Sequence, residues 1–226
     1  MDYKLILDKT FEIFVECKVK EFPVDCFGIL EHYGFKLYTY AEMHATNQRL
    51  YEMCRRYSDD AFRYQNIICY NENVIENRIR FSLMHELGHF VLDHKETSRL
   101  NEDEADYFAS CVLAPRVAIH KTLCRTADAI HDTFGLSYAA SNRALTDYKK
   151  WHGRKKYDSE HQLFDYLYPK NTVVERTPSR KTPPIHRHLW KSWYELENKH
   201  RFIEDNICDL EEYAFRERER QIFNGM

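Results

Sequence analysis

One stretch constrains this chain more than any other. It is "RIRFSLMHELGHFVLDH", residues 78–94, followed after a short connection by "NEDEADYFASCVL", residues 101–113. Phe81, Met84, Leu87, Phe90 and Val91 recur at helical spacing and give the first segment a buried character. A helix of that kind carries His85, Glu86 and His89 only for a reason, because buried charges and unpaired polar groups are costly. Two histidines four residues apart share one helix face, since four steps of about 100° make nearly a full turn. Their imidazole nitrogens can therefore point at one ion. Glu86 stands one step round, beside that ion without ligating it, where it can take a proton from water and return it to a leaving amine. Gly88 costs the helix about 1 kcal/mol and lets something approach the backbone closely beside the site.

A catalytic metal needs a third protein ligand and an open position. The pattern H-E-x-x-H-x-x-G-x-x-H does not supply it, because Leu92 stands at the glycine position and Lys95 at the third histidine. His94 points away from the histidine pair if the helix continues, and serves the helix C-terminus. The acids of the next helix remain. Its apolar stripe is Ala105, Phe108, Ala109 and Val112. Glu102 and Asp106 share one edge beside that stripe, and Asp103 points to solvent. Glu104 lies on the other edge, where Asn101 and Glu104 read as a capping box. This favours Glu102 as the ligand, with Asp106 as the acceptor that orients a ligand histidine. Glu104 is the alternative ligand, because a sequence places a helix start only to within a residue or two.

The rest of the chain sets the frame. Its 226 residues, 43% hydrophobic and 31% charged, suit one medium soluble domain, or one domain with a small appendage. A net charge of −3 gives no footprint for non-specific nucleic-acid binding. Seven scattered cysteines without a CxxC pair exclude a zinc ribbon and a thioredoxin motif, and they suit a reducing cytoplasm. Charges interrupt the first twenty residues, so no signal peptide is expected, and no segment approaches a membrane span.

Along the chain, helices are expected near residues 5–15 and 23–34, strands at "FKLYTYAE" and "YQNIICYNEN", and a turn at "SDDAF". Residues 117–150 read as helical with a break at "TFGLS". A boundary near "HGRKKYDSE" divides an expected domain, residues 1–150, from a mostly helical extension, residues 151–226. That extension contains a linker-like "TPSRKTPP", the pair His186 and His188, aromatics around Trp190 and Trp193, and a final charged helix.

With both halves of the motif in view, the chain resembles the ImmA/IrrE family of metallopeptidases. The matching residues are "RIRFSLMHELGHFVLDH" and "NEDEADYFASCVLAP", with "FPVDCFGILEHYGFKLYTY" and "IICYNEN" upstream. The resemblance implies an α+β, zincin-like fold in which a small twisted sheet packs on the H-E-x-x-H helix and further helices follow. It implies that His85, His89 and Glu102 hold one Zn2+, or Mn2+, and that Glu86 is the general base. Glu102 with Asp106 matches the E-x-x-x-D arrangement of thermolysin-like enzymes. The implied activity is limited, regulatory proteolysis of a helix-turn-helix repressor, often encoded next door on a prophage or mobile element. Val112 to Pro115 departs from the family's usual Leu-Leu-Met-Pro ending, a change in packing rather than chemistry.

Two further expectations concern the substrate. An extended peptide can add to "NIICYN", which is expected to be an edge strand. Tyr70 and Tyr107 are candidates to stabilise an oxyanion. The alternative function is a DNA- or protein-binding regulator with a structural or inactive metal site. Its DNA form would use Ser137, Ser141, Arg143 and Lys149 around the "TFGLS" break, and a helical hairpin packed on the core is preferred to it.

Overall fold

In a computed structural model, which describes residues 1–96 and 98–169, the N-terminal helical period becomes α1 (Tyr3–Glu16). Asp2 caps it by accepting the Leu5 N–H at 3.0 Å, and Ile6, Ile13 and Phe14 are buried. Asp25 caps α2 (Cys26–His32) in the same way, and Gly34, at φ 78°, reverses the chain after it. β1 is short, Lys36–Thr39, because Thr39 and Glu42 form a reciprocal capping box that starts α3 (Tyr40–Thr46). The alternation in "FKLYTYAE" hides that helix start. α4 (Gln48–Tyr57) follows, capped by Asn47.

The expected turn "SDDAF" ends two residues early, and β2 (Ala61–Tyr64) begins there. Gln65, at φ 54°, makes the tight reversal into β3 (Ile67–Tyr70). The sheet order is β1-β3-β2, with β1 parallel and β2 antiparallel to β3. β3 is therefore central, not the edge expected for a docked peptide. Its unalternating "IIC" is what a strand covered on both faces requires. Cys69 packs with Tyr40, Met43 and Cys54 on one face, and Ile68 joins the main core on the other.

The long helix is α5 (Glu76–Val91), which packs on the sheet and on α6 (Arg99–Leu113). α7 (Arg116–Lys121), α8 (Ala127–Phe134), α9 (Tyr138–His152) and α10 (Asp158–Leu167) complete the described residues. The fold is α+β, as the sequence implied. Buried Arg80 on α5 ties the layers together. Its guanidinium donates to the Phe134 and Gly135 carbonyls at the end of α8 (3.1 and 2.6 Å) and to the Val24 carbonyl (3.2 Å). A cation at a helix C-terminus also suits the helix dipole.

The α8–α9 hairpin packs on the core. Ser137 caps α9, accepting the Ala140 N–H, and Ser141 is fully buried, so neither faces a groove in DNA. Arg116 on α7 pairs with Asp147 on α9 at 3.2 Å. Leu163 and Leu167 of α10 join the same core as α1 and α7. Residues 170–226, with the linker-like stretch, His186, His188 and the expected final charged helix, lie outside the described residues. Among the described residues no helix is long and apolar enough to cross a membrane.

Candidate metal centre

The site grows from one crossing of α5 over α6. A Cβ added to Gly88 would lie 2.9 Å from Phe108 Cδ1 and 3.2 Å from Ala105 Cα, so only glycine lets the two backbones meet here. His85 and His89 sit three before and one after Gly88. Glu102 and Asp106 sit three before and one after Ala105. The crossing therefore sets two pairs of side chains against each other along one edge. Gly88→Val is expected to destabilise the chain by about 1–3 kcal/mol, because the overpacked helices must separate. Thermal melting with metal content measured alongside checks this: unchanged values for both would show that the crossing tolerates a side chain.

Across that edge the polar atoms converge. His85 Nε2 lies 3.0 Å from His89 Nε2 and 3.2 Å from a Glu102 oxygen, and His89 Nε2 lies 3.6 Å from the other Glu102 oxygen. One donor atom from each of the three residues falls within 4.8 Å of the others. Each imidazole is also held from behind. His85 Nδ1 meets Asp106 Oδ1 at 2.7 Å, and His89 Nδ1 meets His94 Nδ1 at 3.0 Å. With both Nδ1 atoms engaged, both Nε2 atoms face the centre. Two imidazole nitrogens and a carboxylate suit a zinc-class divalent ion and leave a position open. Glu104 turns elsewhere: it meets His94 Nε2 at 3.3 Å and accepts the Asp2 N–H at 2.8 Å.

His94 reaches His89 because α5 ends at Val91 and Asp93 adopts φ 53°, which swings the chain back. The sequence expectation assumed that the helix continued. Likewise α6 starts two residues before the expected capping box: Ser98 is the cap, accepting the Asn101 N–H at 3.1 Å. The Asn101 amide donates instead to the Glu96 carbonyl. Asp103 is exposed, as expected.

The charges are arranged around the convergence. Burial opposes a charged His85, yet its hydrogen bonds with Asp106 and Glu102 outweigh that and hold its pKa up at about 10. Hydrogen bonds from His85 and His89 hold the Glu102 carboxyl well below the usual carboxylate range. Glu86 is the opposite case. Burial pushes its pKa up, against the pull of His85, His89 and Arg63, and among the described residues it has no hydrogen-bond partner. An unshared carboxylate beside the convergence is free to exchange a proton. Tyr107 packs on Tyr3 and under Arg116, and Tyr70 on Phe27, so both have structural employment.

Residues 39–146 match the family model of the IrrE N-terminal-like domain, Peptidase M78. The match covers just under half of the chain and supports a metallopeptidase of the ImmA/IrrE family. The matched span runs from Thr39 into α9, so both site helices fall inside it, while α1, α2 and α10 fall outside. No curated protein and no solved structure gives a match. A metallopeptidase of that family is a hydrolase that uses a metal ion and acts on a protein substrate.

Proposed function

We propose that the chain is an endopeptidase that makes a limited, regulatory cut in a helix-turn-helix repressor, using zinc (or manganese) held by His85, His89 and Glu102. The observation that carries this reading is the convergence of those three donor groups beside an unpartnered, part-buried Glu86. When bound, the ion supplies Lewis acidity to a water and to the scissile carbonyl. Glu86 takes the proton of the attacking water and delivers it to the departing nitrogen. Its raised pKa suits both halves of that task.

Asp106 accepts from His85 Nδ1–H and so keeps the Nε2 lone pair turned inward. His94 and Glu104 do the same for His89 in two steps. The peptide is read along an exposed edge of the sheet, and β2 is the edge that packs on α5. The repressor and its setting on a prophage or mobile element follow from the family resemblance. The free cysteines among the described residues favour a cytoplasmic setting, with no membrane partner and no direct contact with nucleic acid.

The test is incubation of the metal-loaded chain with the helix-turn-helix regulator encoded beside it, followed by mass spectrometry of the products. A single internal cut, lost on chelation and restored by zinc or manganese, supports the reading. An intact regulator with every metal sinks it. Asp106→Asn is expected to weaken zinc binding by about 10–100-fold without unfolding the chain, since the amide can present its N–H to Nδ1 and favour the wrong tautomer. Competition against a calibrated chelator measures that loss.

A further inference from the structure

Arg63 stands where the sheet ought to be apolar. In the β2–β3 ladder it pairs with Ile68, and residues directly opposite in an antiparallel pair point to the same face. Ile68 is fully buried in the core with Leu83, Met84 and Leu87 of α5. Phe62, the neighbour of Arg63, pairs with Cys69 and packs on the opposite face. Arg63 is thus a cation planted on the helix-facing side of the edge strand β2. Its guanidinium carbon lies 5.9 Å from the centre of the Phe90 ring. Phe90 is one helical turn beyond Glu86 and therefore on the same side of α5.

Two features are left over from the fold. Phe90, expected from the sequence to be buried, is 44% exposed. Arg63 Nε is buried with no hydrogen-bond partner among the described residues. A buried donor without an acceptor is costly, so a ligand that brings an acceptor is favoured there. A guanidinium over the face of an aromatic ring, at cation–π distance, keeps its N–H groups for a planar, two-oxygen acceptor.

We propose that Arg63 determines specificity by binding a carboxylate of the substrate peptide beside the scissile bond, with Phe90 as the apolar floor under it. The inference rests on the peptidase reading of the site and names the class of peptide it takes. An acidic peptide needs this cation. Glu86, Glu102 and Asp106 line the same site, and without Arg63 they would repel a substrate carboxylate. The carboxylate can come from an Asp or Glu side chain or from a free C-terminus.

Three peptidyl hydroxamates of one sequence separate these cases. One carries Glu next to the hydroxamate with an amidated C-terminus, the second Gln with the same amide, and the third Gln with a free C-terminal carboxylate. Their dissociation constants are measured by calorimetry on the zinc-loaded full chain, for wild type, Arg63→Gln and Arg63→Lys. Wild type is expected to hold one of the two acidic probes at least about tenfold tighter than the neutral one, and which one identifies the source of the carboxylate. Arg63→Gln is expected to erase that preference while leaving the neutral probe nearly unaffected, and Arg63→Lys to restore part of it. Equal binding of all three probes by wild type overturns the proposal. So does an Arg63→Gln variant that weakens all three alike, which would mark a packing role. If the folded, zinc-supplemented wild type binds neither metal nor any hydroxamate, the peptidase reading fails first and takes this inference with it.

Discussion

His85→Ala or Glu102→Ala will leave the folded chain without bound metal. Wild type is expected to carry close to one ion per chain. The reason is geometric: each residue supplies one of three donor atoms that lie within 4.8 Å of one another, and among the described residues no other His, Cys, Asp or Glu joins that group. Losing a ligand costs more than the roughly 10–100-fold that follows from losing a hydrogen-bond partner behind a ligand. Glu104→Ala is the control. Glu104 touches His94 and the backbone of Asp2 rather than the convergence, so the variant is expected to keep its ion with a modest loss of affinity. Elemental mass spectrometry on the purified variants decides. Metal retained by His85→Ala, or lost from Glu104→Ala as completely as from Glu102→Ala, would mean that the ligand set is drawn wrongly.

Glu86→Gln is expected to separate chemistry from binding. The ion stays, because Glu86 contributes no donor to the convergence, while cleavage of the regulator falls by about 10²–10⁴-fold. Stability moves the other way. A carboxyl whose folded pKa lies above its unfolded one is charged at a cost in the native state once the pH passes the unfolded value. That cost grows as the pH rises from the unfolded pKa towards the folded one, and it disappears as the pH falls below the unfolded pKa. A neutral glutamine removes it. The metal-free variant should therefore melt no lower than wild type at neutral pH, and the advantage should vanish in acid. Melting curves at two pH values, taken with the cleavage assay, test both halves. Full activity in the variant would end the general-base assignment.

The site was more legible than its surroundings, for physical reasons. His85, Glu86, His89, Glu102 and Asp106 lie on two long helices whose period is strong, so spacing alone predicts which side chains share an edge. The same argument predicts that Gly88 marks a close approach, and the structure supplies the partner, Ala105 with Phe108. His94 escaped because its position depends on one residue, Asp93, adopting a left-handed conformation that nothing in its neighbours announces. β2 escaped because four residues, of which one is Arg63 and one an exposed Tyr64, are too few to display an alternating pattern. The expected edge strand proved central for a related reason: the sequence of β3 shows burial on both faces but not what covers them. Phe90 reads as core by period alone, yet its ring, edge-on to Phe35 and Tyr33, stays 44% exposed.

The meeting of Gly88 with Ala105 has a consequence for how the enzyme fails. Many enzymes keep their reactive groups on surface loops, which melt before the body does and leave an inactive but folded molecule. Here the proposed metal ligands and general base flank the contact between two helices whose other faces, Leu83, Met84, Leu87, Phe108 and Val112, are fully buried. Nothing can loosen the one without loosening the other. Loss of activity on heating should therefore coincide with loss of helical signal, in a single cooperative step, and a heat-damaged population should contain working molecules and unfolded ones with little between.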